Sequence, residues 1–128
     1  MLAQKLRRAT EETEHAAARG FLSQWEAEER LYFRIEEEIL LPVYAEHGDP
    51  HHPAIIWMLE GHIRIRRDAD ILARQPSLSL VHQLGTQLAE HVQLEEQQVF
   101  PLIEQTIPAH ELATLSSAST PRGHADPA

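Results

Sequence analysis

At 128 residues the chain is long enough for one domain that buries roughly two thirds of the surface its unfolded form exposes. Twenty Asp and Glu against eleven Lys and Arg give a formal charge of −9, the wrong sign for phosphate backbones or anionic lipid, so neither nucleic acid nor a membrane is expected as a partner. Without cysteine there are no disulfides, thiolate metal sites or thiol catalysis, and no apolar run approaches the ~20 residues that span a bilayer; a cytoplasmic protein is expected.

Leu2 to about Ala9 reads as a short helix with Leu2 and Leu6 on one side. From about Thr13 to Ala45, residues Leu22, Trp25, Glu29, Tyr32, Glu36, Ile39 and Val43 recur at spacings of three and four, which predicts one long helix with a mostly apolar face. The stretch "HGDPHHP" then stops one helix and starts another, running from about Pro53 to Ala73 on the stripe Ile55, Leu59, His62, Ile65, Ala69 and Leu72. After "RQPSLS" a third long helix, about Leu78 to Gln105, carries Val81, Leu84, Leu88, His91, Glu95, Val99 and Leu102 on one face. Pro42 and Pro101 lie late in their helices, where kinks or early endings are expected. A short closing helix is predicted over 107–115, and residues 116–128, small, polar and Pro-containing, read as a disordered tail after a domain spanning 1–115. Short links between long helices favour antiparallel neighbours, so the predicted fold is all-α, an up-down four-helix bundle with a shortened first helix.

Four polar residues fall in the middle of the core-facing stripes: Glu36, His62, His91 and Glu95. His91 and Glu95 are one turn apart on one face, and in a bundle the other two reach the same point from facing helices, which is how metal sites are built in bundle cores. Two buried carboxylates cost several kcal/mol each unless a cation compensates them. Imidazole with carboxylate suits iron, manganese or zinc. The bland alternative is a set of Glu···His pairs that fix helix register.

A local repeat strengthens the metal reading. "LYFRIEEEILLPVY" and "EHVQLEEQQVFPLIE" superimpose Glu36 on Glu95 and Pro42 on Pro101, with Tyr32 opposite His91. Together with the lone helix-borne His62, this pattern resembles the hemerythrin-like, or HHE cation-binding, family over nearly all of Ala16 to Leu115. The resemblance implies a four-helix bundle around a non-haem iron pair. It assigns Glu36 and Glu95 as bridging carboxylates and His62 and His91 as imidazole ligands. Three departures stand against a complete site: Tyr32 replaces a family histidine, Arg66 stands four residues after His62 where oxygen-carrying members have a second histidine, and no histidine lies in Met1 to Thr10. A first-helix ligand would fall upstream of Met1, so either the sequence starts late or the ligand is lost; the change at Tyr32, which a late start leaves unexplained, favours loss. A mononuclear or weakened site is therefore expected.

Tyr32 is the candidate cofactor-binding residue, as a phenolate on ferric iron, against the simpler role of a volume-filling side chain bonded to Glu36. His15, some 25 Å along the helix from Tyr32, is no substitute ligand. His47, His51, His52, His82, His110 and His124 read as solvated, Trp25, Trp57 and Phe100 as packing residues, and Glu37 and Glu38 as solvated acids. The leading functional expectation is an iron protein for oxygen or redox sensing, with dioxygen as a possible ligand, or for metal handling, rather than an enzyme. The alternatives are a metal-free bundle serving as an interaction module and, behind it, an iron-dependent oxidative enzyme.

Overall fold

The computed structural model describes residues 2–118. Among them all regular structure is helical: α1 (Leu2–Arg7), α2 (residues 14–47), α3 (Pro53–Arg74), α4 (residues 78–106) and α5 (Ala109–Ala118). The fold is an up-down bundle with a short first helix, as the periodicity predicts. Residues 119–128, which belong to the segment read as a tail, lie outside the described residues.

Local chemistry sets the helix starts. Pro53 supplies a first residue with no N–H to satisfy, and the ring Nδ1 of His52 accepts the N–H of Ala54 at 3.1 Å. Ser77 Oγ accepts the N–H of Leu80 at 3.1 Å to open α4. The short α1 lies directly on α4 at Gly85, where a Cβ would stand 2.9 Å from both the Ala3 carbonyl oxygen and the Arg7 nitrogen. His82, expected in solvent, instead donates to the Ala9 carbonyl at 2.7 Å and fastens the end of this segment to α4. Asp68, almost fully buried, accepts from Gln83 at 2.8 Å and Arg67 at 3.1 Å, tying α3 to α4.

The two inner prolines do not end their helices, which run on to His47 and Thr106. Each follows a turn wound to π geometry, Glu36–Leu40 before Pro42 and Glu95–Val99 before Pro101. In these turns the N–H of Leu41 reaches back five residues to the Glu36 carbonyl, and that of Phe100 to the Glu95 carbonyl. A proline has no N–H to give and presses on the carbonyl four residues back; a widened turn moves that carbonyl away. A third wide turn, Trp25–Glu29, has no proline after it, and nothing in the structure explains it.

Each wide turn spends one extra residue and so rotates everything beyond it by roughly 100° relative to a regular helix. This corrects the predicted stripes. In α2 the inward residues are Phe33 rather than Tyr32 and Tyr44 rather than Val43, while Ile39 is exposed; in α4 the buried residue beyond Val99 is Ile103 rather than Leu102. The helix α3 has no wide turn, and there Ile55, His62, Ile65, Ala69 and Leu72 are all buried. Trp57 is half exposed rather than packed inside.

The core divides into two apolar clusters. One gathers Leu6, Phe21, Trp25, Phe33, Ile65, Leu72, Val81 and Leu84; the other gathers Tyr44, Ile55, Met58, Val99, Ile103, Ile107 and Leu115. Along α2, α3 and α4 alike, the residues between the two clusters are polar and buried.

Candidate metal centre

Those residues are Glu36, His62, His91 and Glu95, between 0% and 6% exposed. One donor atom from each lies within 4.8 Å of the others. α2 delivers Glu36 at the start of its second wide turn, α4 delivers Glu95 at the start of its own, and His91 stands one regular turn before Glu95. His62 comes from mid-length of α3.

His62 is held on both sides of its ring. Nδ1 lies 2.6 Å from Glu37 Oε2, and Arg66 grips the same carboxylate with two bonds of 2.7 and 2.9 Å. A carboxylate paired with a guanidinium accepts and does not donate, so Nδ1 carries the hydrogen. Burial pushes the His62 pKa down to about 4, against the opposing pull of Glu37, so at neutral pH the ring has that one proton and Nε2 is a lone pair. Nε2 lies 2.9 Å from Glu36 Oε1 but outside hydrogen-bond alignment. A lone pair and a carboxylate oxygen therefore face each other in the core, and either a proton on the carboxyl or a cation between them relieves the contact. Burial also raises the Glu37 pKa, but Arg66 and His62 outweigh it and hold the group below its ordinary value.

His91 Nε2 bonds Glu95 Oε2 at 3.1 Å. The two imidazole centroids are 5.0 Å apart, and Phe33 stacks flat on His62 at 3.9 Å while standing 5.3 Å from His91. Gly61 is required by proximity: a Cβ there would lie 2.8 Å from His91 Nδ1.

Tyr32 lies outside this group, partly buried against the cluster that contains Trp25 and Phe33. His15, His51 and His110 are exposed. His47 pairs with Glu111 at 2.8 Å and, with Glu46, forms a second, more exposed acidic group that links α2 to α5. His124 is outside the described residues. Glu38 is exposed and pairs with Arg34. Glu37, expected in solvent, is the acid that orients His62. Its signal was in the sequence: Arg66 stands one turn after His62, a cation in need of a partner. Phe33 carried no such signal, because the wide turn that brings it inward leaves no mark in the hydrophobic period.

The model of the hemerythrin HHE cation binding domain matches residues 1–103. The chain belongs to this hemerythrin family. No curated protein and no solved structure matches. Hemerythrin-like domains bind metal ions, usually iron, and the group of two histidines and two glutamates is this chain's candidate ligand set. The residues fit an ion on three counts: hard and borderline donors together, Nε2 of His62 aimed inward, and a carboxylate behind its Nδ1, the second contact that metal-binding histidines almost always make.

The metal-free hemerythrin domain is expected to be acid-labile. His62 stays neutral in the fold down to about pH 4, whereas the unfolded chain takes up that proton near 6.5. Stability is complete above pH 6.5 and falls as pH drops towards 4, by about 3 kcal/mol from this group alone. Glu37, whose folded pKa is lowered, adds loss of the same sign below its unfolded value of 4.5. Urea unfolding of the chelated protein at a series of pH values measures it; a flat profile from pH 7 to 5 contradicts it.

Proposed function

We propose that this hemerythrin-family chain holds a single iron ion on Glu36, His62, His91 and Glu95, and that it works in the cytoplasm in oxygen or redox sensing or in metal handling rather than as an enzyme. The observation that carries the reading is the convergence of two buried imidazoles and two buried carboxylates, one donor atom from each within 4.8 Å of the others, with Glu37 and Arg66 behind the His62 ring. A bound iron would supply one-electron redox chemistry and an open position for a small ligand such as dioxygen.

The chain's own residues favour one ion over a pair. Phe33 covers one face of His62, and Arg66 holds Glu37 while its guanidinium lies 5.7 Å from the Phe33 centroid. Aromatic carbon and a cation, neither of them a ligand, thus line the His62 ring outside the group of four. Tyr32, at the position of a family histidine, packs against apolar residues and in this reading fills volume. Burial and the contacts of Glu37 and Glu95 hold both imidazoles in orientation. Among the described residues no helix is long and apolar enough to cross a membrane.

Elemental analysis of natively purified protein, with melting recorded before and after chelation, tests the reading. A single iron per chain and a melting temperature lowered by chelator are expected, and Tyr32→Phe is expected to leave the visible absorption unchanged. A visible band lost in Tyr32→Phe would make the phenol a ligand. Protein free of metal, melting identically with and without chelator, would instead establish the metal-free bundle.

A further inference from the structure

His62 and His91 are supported unequally. Behind His62 Nδ1 stands the Glu37 carboxylate; behind His91 Nδ1, a buried atom, no hydrogen-bond partner stands among the described residues. A second buried polar atom on the same helix shares this condition: Gln87 Oε1, one turn before His91. Both residues line one cleft of about 230 Å3 between α3 and α4.

We propose that Gln87 is the positioning residue for His91, its side-chain oxygen accepting the Nδ1 hydrogen when Nε2 turns its lone pair to the metal; the inference rests on the metal reading above. Side chains of a helix lean towards its N-terminus, so Glu95 leans onto His91 and His91 onto Gln87, a ladder at four-residue intervals. The lower rung, Glu95 to His91, is closed at 3.1 Å. If Nε2 carries the ring hydrogen and donates it to Glu95, Nδ1 is a lone pair, which an amide oxygen cannot satisfy. When Nε2 binds a metal, the hydrogen resides on Nδ1, and a turn of the Gln87 side chain, one helical turn away, brings it an acceptor.

The other residues around the cleft do not serve. α3 cannot reach Nδ1 with a side chain because Gly61 faces it, and a Cβ there would already stand 2.8 Å away. Arg64 is a donor only. Glu90 is exposed and, one residue before His91, points about 100° away around the helix. Gln87 alone among them is an acceptor at the right spacing. The two imidazoles then differ in kind: His62 is backed by an anion and His91 by a neutral amide.

The test uses the whole chain loaded with zinc(II), a diamagnetic ion that imidazole and carboxylate bind. Gln87→Leu is expected to weaken zinc binding by roughly 10- to 100-fold, the usual cost of losing a histidine's second contact. Gln87→Glu, which offers only acceptors, is expected to retain or tighten it. In 15N-labelled protein the His91 Nδ1 hydrogen appears on zinc loading of the parent as a downfield resonance, and it moves upfield in Gln87→Leu. The metal-free variants are expected to melt with the parent. Equal zinc affinity and an unmoved Nδ1 resonance in Gln87→Leu would overturn the role, as would a Gln87→Glu variant no better than Gln87→Leu. If the parent itself takes up no zinc or iron, the metal reading fails, which is a different result from a parent that binds and a Gln87→Leu that binds equally.

Discussion

His62→Ala and His91→Ala are each expected to leave the purified chain without its ion, with affinity lowered by well over 100-fold. Each removes one of the two nitrogen donors of the proposed set and leaves one imidazole with two almost fully buried carboxylates. Glu37→Gln is expected to fall short of this, weakening the site by roughly 10- to 100-fold, because it leaves the ring in place and removes only the anion behind it. Stability gives a second readout. An ion at 1,000 times its dissociation constant stabilises the fold by about 4 kcal/mol, so the parent should lose that amount on chelation and the two alanine variants none. A parent and a His62→Ala variant with equal iron content would end the proposal that these four residues hold the metal.

Phe33→Ala is expected to cost about 3–5 kcal/mol, the usual range for removing a buried aromatic ring, and to lower the melting temperature by roughly 10–20 °C. Phe33 is 1% exposed, meets Trp25 edge-on at 5.4 Å and lies flat on His62. Its removal opens a void beside the imidazole, so metal binding should weaken as well. Tyr32→Ala is the control. Tyr32 is only partly buried, and its loss should cost clearly less. A regular helix would place Tyr32 rather than Phe33 at the centre, so the reverse order, measured by thermal melting, would remove the register shift assigned to the turn at 25–29.

How far the fold was legible depends on which helix is considered. In α3 the spacing of apolar residues is uninterrupted, and Ile55, His62, Ile65, Ala69 and Leu72 stand inward as the period requires. In α2 and α4 the same reasoning holds up to each wide turn and then points one residue early, at Val43 instead of Tyr44 and Leu102 instead of Ile103. The cause was visible as Pro42 and Pro101, but a proline announces only that a donor is missing. It does not announce that the preceding turn has absorbed the loss by widening. His62 lies on a helix without a wide turn and His91 and Glu95 stand before the shift in α4, which is why periodicity alone put them on inward faces; Glu36 follows the turn at 25–29 and is buried all the same. Glu37 left its trace only in Arg66, a cation one turn after His62, and the role proposed for Gln87 left none, because hydrophobic spacing carries no information about which ring nitrogen is occupied.

Pro42 and Pro101 also act on the centre from a distance. Each stands six residues beyond its glutamate and outside the group of four, yet each makes a return to ordinary winding costly, since that would bring a carbonyl oxygen back against the pyrrolidine ring. The azimuth of Glu36 relative to Tyr44, and of Glu95 relative to Ile103, is locked by that steric refusal rather than by any contact at the carboxylates themselves. The two ends of each helix can then pack against their own neighbours at different bearings. The centre sits at the pivot, held steady by residues that offer it no ligand atom.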